Sequence, residues 1–341
     1  MLRRQAWWIV LLLLVVGCKR PIKVISDSRI TAFMPNAHSN GPVRPMTVAG
    51  GDPGQRKIAL IDVDGLLVNQ VMTGVSSDGE NPIALFREKL DLIAGSPCYA
   101  AVVIRINSPG GGVTASDVMW HDLREFKARK QIPVVACLMD VGAGGAYYVA
   151  TGADHVVAHP TTVTGGIGVI LNLYNLVDLM NQFNVVPAAI KAGVNIDLGT
   201  PVVDQTPEGQ EILQRMANEF HDRFRKVVLA ARPQMAGAPA EVFDGRVFTA
   251  YQALHLKMID SIGYLDDAVN VAAEMGGAPG AQLVAFHRVH DKAYTPYDVT
   301  PNVPLQSTML PLSIPGFERA KLPTFLYLWQ PDPTIERLTG K

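Results

Sequence analysis

The segment Ser108-Pro109-Gly110-Gly111-Gly112 follows the apolar run from Ala100 to Ile106 and precedes a helix-forming stretch that starts near Val113. Glycines at such a junction let a ligand approach the backbone, and they leave N–H groups pointing outward at the positive end of a helix dipole. Two chemistries use that arrangement: binding of a phosphate, and stabilisation of an oxyanion formed from a carbonyl. A tight strand-to-helix turn with no ligand uses the same residues. The dinucleotide fingerprint is not met, because three consecutive glycines lack its spacing. A second cluster also misses it, since Tyr147 stands where a third glycine is required after Gly142 and Gly144. No Walker lysine follows either loop.

Other groups able to do chemistry are few. Ser108, Thr162 and Thr164 read as turn or cap residues whose hydroxyls bond nearby backbone. His155 and His159 alternate with apolar residues and read as structural. Cys98 and Cys137 read as small apolar fillers. Asp62 and Asp64 fall too early, in the first strand region, to form an acid–base pair. Nothing calls for a metal, nucleotide or organic cofactor.

The elements that must position the glycines alternate. Ile58 to Val63 predicts a buried strand, Asn81 to Ala94 a helix, Ala100 to Ile106 a strand, and Val113 to about Lys130 a helix. Pro133 to Leu138 predicts the next strand, followed by a short helix through Tyr147 and Tyr148 and a strand over Asp154 to His159. A helix near Leu173 to Phe183 and a strand over Val185 to Lys191 continue the pattern. Such alternation implies an α/β fold of repeated βαβ units with right-handed crossovers. Beyond Thr206 the chain becomes helical: Glu208 to Ala231 carries Phe220 and Phe224 at core spacing, with shorter helices near Ala250 to Lys257 and Asp266 to Met275. Ala281 to Val289 is a last strand.

Ile104 to Asp117, with its Asn107-Ser108-Pro109-Gly110-Gly111-Gly112 centre, resembles the signature of the signal peptide peptidase A (SppA) family. Ala143-Gly144-Gly145-Ala146-Tyr147-Tyr148, Ala153 to Pro160, Thr162 to Val169, Ile190-Lys191-Ala192-Gly193 and Asp244 to Thr249 extend the likeness in order and spacing. It covers about residues 57 to 275. The resemblance implies a Clp-protease/crotonase-like fold with additional carboxyl-terminal helices, and a serine peptidase with a Ser–Lys dyad. A buried neutral lysine would take the serine proton while Gly110, Gly111, Gly112 and Gly145 stabilise the oxyanion and bind peptide. At the nucleophile position this chain has Gly144, and at the base position Ile196. Losing a hydroxyl nucleophile costs on the order of a million-fold in turnover. By ordinary dyad chemistry the chain is inert, and the expectation is a catalytically inactive homologue that binds extended peptides or signal-peptide fragments, or scaffolds an assembly. An active peptidase with a displaced nucleophile and a crotonase-like acyl-thioester binder are the alternatives.

Arg3 and Arg4 precede an apolar run from Ala6 to Gly17, a secretory signal too short to span comfortably. The run ends Val15-Val16-Gly17-Cys18, which resembles a bacterial lipobox. Residues 1–17 then form a lipoprotein signal peptide, and lipidated Cys18 anchors the chain at the bacterial cell envelope, facing the extracytoplasmic side. Residues 18–55, rich in proline, are expected to be a flexible tether, 56–290 the SppA-like peptidase domain, and 291–341 a proline-rich but apolar extension that packs on the body, a neighbour or the membrane. The 341 residues include 30 basic and 31 acidic ones, for a net charge of −1, which gives no electrostatic case for nucleic acid. Hydrophobic residues are 48% of the chain, enough to exclude disorder as the main state. Three cysteines are too few and too scattered for a disulfide framework or zinc site. A homo-oligomer is expected from the family's habit of building rings.

Overall fold

A computed structural model of the chain describes residues 24–25, 29–30, 41–74, 77–289, 291, 293–298 and 325–329. The chain divides into two units, Met1–Ser39 and Asn40–Lys341. In the first, β1 (Val24–Ile25) pairs antiparallel with β2 (Arg29–Ile30). Cys18 and the expected signal segment lie outside the described residues. Among the described residues, no helix is long and apolar enough to cross a membrane.

The second unit is built on a nine-stranded sheet. Its strands are β3 (Val43–Ala49), β4 (Lys57–Asp64), β7 (Tyr99–Ser108), β9 (Val134–Ala143), β10 (His155–Ala158), β11 (Val163–Gly165), β12 (Val247–Thr249), β13 (Ser261–Ile262) and β14 (Leu283–Arg288). The remaining strands are β5 (Met72–Gly74) and β6 (Ser77–Glu80), which form a hairpin, and β8 (Gly110–Gly112) and β15 (Leu326–Leu328), which pair with each other. The main sheet runs β12-β11-β9-β7-β4-β14-β3, with β10 and β13 joined to β9. Pairs along β14-β4-β7-β9-β11 are parallel, while edge strands β3 and β12 are antiparallel to their neighbours. This is the expected α/β alternation.

The central strands are apolar on both faces because both faces are covered. Ala59, Ile61 and Val63 of β4 share one core with Val102, Ile104 and Ile106 of β7. Their alternates Ile58, Leu60, Ala101 and Val103 enter a second core with Leu265, Ala268 and Ala272 of α7 (Leu265–Met275). The first core is closed by α1 (Pro82–Ala94), α2 (Val113–Lys130) and α3 (Gly145–Ala150). Helix α1 starts where expected: Asn81 accepts from the Ile83 and Ala84 amides, and Pro82 sits in the first turn, where its missing N–H is harmless. Thr206 likewise caps α5 (Pro207–Ala231) by accepting from the Gly209 amide. The short helices are α4 (Val177–Gln182) and α6 (Ala250–His255).

Several expectations are corrected. The stretch 18–55 is not wholly a tether, because β3 lies in it and pairs with β14 from Val43↔Arg288 to Ala49↔Leu283. Pro45 is tolerated there since β3 is an edge strand. Val185 to Lys191 forms no strand: Pro187 removes a ladder donor, and Val186 is 75% exposed. The helix expected over Leu173 to Phe183 shortens to α4. Much of the first half of α5 is exposed, Met216 included, whereas Phe224 and Val228 are fully buried. Cys98 is exposed beside Ser96 rather than a filler. Cys137 is buried, and burial pushes its thiol up to about 12.

Candidate functional site

Two strand-to-helix junctions meet at the site. From β7 the chain passes Pro109 into β8 and then α2; from β9 it passes Gly144 into α3. Gly144 has φ 54° and ψ −125°, a backbone conformation that L side chains rarely adopt. It turns the chain sharply from β9 into α3. Its amide is tied to the Gly165 carbonyl at 2.9 Å.

The glycines of β8 are explained by backbone on both sides. A Cβ on Gly111 would run into the backbone of Leu67, because Leu67 takes one edge of β8: its amide donates to the Gly110 carbonyl at 3.0 Å, and its carbonyl accepts from the Gly112 amide at 2.8 Å. On the other edge lies β15, with Leu326, Tyr327 and Leu328 opposite Gly112, Gly111 and Gly110. Val113 donates to the Phe325 carbonyl and Trp329 to the Pro109 carbonyl. The alternation of an antiparallel ladder therefore makes Tyr327 and Gly111 a pair that exchanges hydrogen bonds.

The Tyr327 carbonyl oxygen is among the atoms that a Cβ on Gly110, Gly144 or Gly145 would meet. Three of the predicted glycines, Gly110, Gly144 and Gly145, thus converge on one carbonyl, and Gly111 pairs with the same residue across the ladder. Gly112 lies one step along, opposite Leu326. Ile196 is not brought to them: it is 71% exposed, and the nearest atoms to a Cβ on Gly144 belong to Tyr327 and Pro109. Beside it, Lys191 bonds both carboxylate oxygens of Asp197, at 2.9 and 2.7 Å, and that bond lowers the pKa of the Asp197 carboxyl.

The other hydroxyls and imidazoles are held in structural roles. Ser108 accepts from the Gly110 amide at 3.1 Å, Thr162 donates to the Leu138 carbonyl at 2.9 Å, and Thr164 donates to that of Gly142 at 2.7 Å. His155 bonds Ser261, while His159 bonds Thr161 and lies edge-on to Tyr264. Asp62 is ion-paired with buried Lys89 at 2.6 Å. Burial, reinforced by the Asp62 charge, raises the pKa of the Asp64 carboxyl. Among the described residues no three His, Cys, Asp or Glu side chains gather as metal ligands would.

Sequence reasoning missed Tyr327, Ile170, Leu67 and Ser116. Tyr327 is fully buried, its ring 4.6 Å from that of Phe224 and stacked at 5.4 Å on Tyr148, and its hydroxyl donates to the Phe220 carbonyl at 2.6 Å. Phe325 packs on Phe220 with ring centroids 5.1 Å apart. The Tyr148 hydroxyl donates to Asp117 at 2.6 Å, and Arg223 grips the same carboxylate with two nitrogens. Burial first, then the Asp117 bond, raise the Tyr148 phenol above its ordinary range. Ser116 is buried against Gly145 and donates to the Gly112 carbonyl at 2.9 Å. Its position one turn into α2 was readable; its proximity to the elbow was not.

Residues 126–278 match Peptidase family S49; the match includes Gly144 and begins after Gly112. A candidate protease of Synechocystis sp. is 33% identical over 223 residues, covering 65% of this chain and 76% of that one. A candidate signal peptide peptidase SppA of Enterococcus faecium is 27% identical over 245 residues, covering 72% and 71%. Among solved structures, a mutant of the 1510-N membrane-bound stomatin-specific protease is similar with a TM-score of 0.41 and 13% identity, over 72% of this chain and 96% of that one.

Proposed function

Given that the chain belongs to the SppA family of serine peptidases, peptidase family S49, with its Clp-protease/crotonase-like α/β fold, we propose that it is a catalytically inactive member that binds extended peptide. The observation that carries this reading is the elbow with no side chain on it: Gly144, at the position implied for the nucleophile, turns the chain and offers no hydroxyl. Ile196, at the position implied for the base, cannot accept a proton. What remains is an oxyanion-type cradle and a strand edge. A strand edge gives backbone hydrogen bonds to an extended peptide, and neighbouring pockets give it selectivity.

Cys18 would anchor the protein by lipid at the extracytoplasmic face of a bacterial membrane, where two or more acyl chains suffice for stable attachment. Finding Cys18 unmodified in the native protein would remove that part. Several exposed apolar residues between Leu173 and Ile196, including Phe183, Val186 and Val194, support a homo-oligomer that covers them.

Incubation with signal-peptide-like fragments and with casein should give no cleavage above background, while the fragments bind. Cleavage abolished by one Ser or Thr substitution would overturn the reading. It would favour instead a peptidase with a displaced nucleophile, for which the buried Ser116 hydroxyl beside Gly145 is the nearest hydroxyl.

A further inference from the structure

Phe325–Trp329 is held the way a bound peptide is held, by backbone on both edges. One edge pairs with Gly110–Gly112. On the other, Leu326 and Ile170 exchange two hydrogen bonds, at 2.9 and 3.0 Å. A three-residue strand has no stability of its own, so its order comes from the groove and from Tyr327, whose ring packs against both Tyr148 and Phe224, themselves in edge contact. Its carbonyl sits at the glycine cluster, where the carbonyl of a cleavable peptide would sit.

We propose that Phe325–Trp329 is a resident peptide occupying the groove, and that the groove's ligands are extended peptides presenting a tyrosine, flanked by aliphatic side chains, to the Tyr148–Phe224 subsite. The proposal rests on the peptide-binding reading above and specifies its ligand. Backbone pairing fixes the strand register, and the ring-lined subsite selects an aromatic residue. The Phe220 carbonyl at the end of the subsite favours tyrosine over phenylalanine, because its free lone pair beside the α5 ladder bond accepts a phenol O–H, a bond that a phenyl ring cannot make. A free peptide must displace the resident one. At a roughly millimolar effective concentration, a tethered competitor weakens a ligand of ~10 μM affinity about a hundredfold.

The test uses the full-length chain and a fluorescent peptide with the sequence of residues 323–331, followed by anisotropy. Tyr327→Ala empties the subsite, and Leu326→Pro removes the N–H that donates to Ile170. Each variant should bind the peptide at least tenfold more tightly than wild type, and replacing the peptide's tyrosine by serine should weaken that binding at least tenfold. If Tyr327→Ala does not fold, Leu326→Pro decides. In wild type, saturating peptide should also speed hydrogen exchange at the Leu326 and Trp329 amides. Equal affinity for wild type and variants, or unchanged exchange with peptide bound, overturns the resident segment and leaves the groove reading standing. No binding by folded variants overturns both.

Discussion

The carbonyl carbon of Tyr327 lies 2.8 Å from the point where a Cβ on Gly144 would stand, with the Tyr327 oxygen nearer still. No side chain fits at position 144 while β15 is in place. Glycine at the elbow and a segment lying against it are one structural fact, since either would have to change if the other did.

Gly144→Ser should therefore destabilise the protein, through the clash with Tyr327 and through the cost of φ 54° for a residue with a Cβ. Strain of this kind amounts to ~1–3 kcal/mol. The measurement is the shift in urea midpoint at unchanged slope. A variant as stable as wild type would mean that Tyr327 does not hold this position in solution.

The double variant Gly144→Ser with Ile196→Lys should remain without hydrolytic activity. Position 196 is exposed, so a lysine there stays hydrated and protonated at neutral pH, and a protonated amine cannot take the serine proton. Turnover of a signal-peptide-like substrate by the double variant, and by neither single one, would show that residue 196 reaches the elbow after all.

Arg232, buried beside Asp260 at 2.5 Å, secures the junction between α5 and β10, because Asp260 also accepts from the Val156 amide at 2.7 Å. Burial raises the Asp260 carboxyl pKa, but the Arg232 bond and charge outweigh it, and the net direction is down. Arg232→Met should cost about 2 kcal/mol, less than a fully buried pair because Asp260 keeps some water. A lowered carboxyl pKa contributes stability above the unfolded value, near 4, and loses it as pH falls through the folded one. Chemical denaturation should find the gap between wild type and variant constant from pH 5 to 8 and closing below about 4. A gap that widens in acid would contradict the assignment.

His287 is buried, and its Nδ1 has no hydrogen-bond partner among the described residues. Burial lowers its pKa; the Asp62 charge opposes that shift, and those of Lys89 and Arg105 assist it. The folded protein thus binds fewer protons than the unfolded chain just below pH ~6.5, and stability falls as pH drops through that window. Wild type should lose more thermal stability than His287→Gln between pH 7 and 5. Parallel losses would show that His287 does not titrate on unfolding.

The two glycine turns were legible because an apolar strand running straight into a helix needs a sharp local turn. Positive φ at Gly110 and Gly144 and a turn between apolar strand and helix leave few other residue types possible. The parallel order of β4, β7 and β9 followed from apolar runs separated by helices. What fills the cradle was not legible: Tyr327 comes from a proline-rich stretch far along the chain, and nothing in its local pattern names a partner. The same blindness to partners misplaced Val185 to Lys191, where β-forming residues meet no strand, and β3, where prolines suggested a tether but an edge position accepts one.

The central claim, a peptide groove without hydrolytic chemistry, is tested most directly by exposing the full-length wild-type protein to a fluorophosphonate probe and reading adduct mass. The expected result is an unlabelled protein that still binds the peptide. A stoichiometric adduct on a hydroxyl such as that of Ser116, with casein cleavage lost in Ser116→Ala, would contradict it.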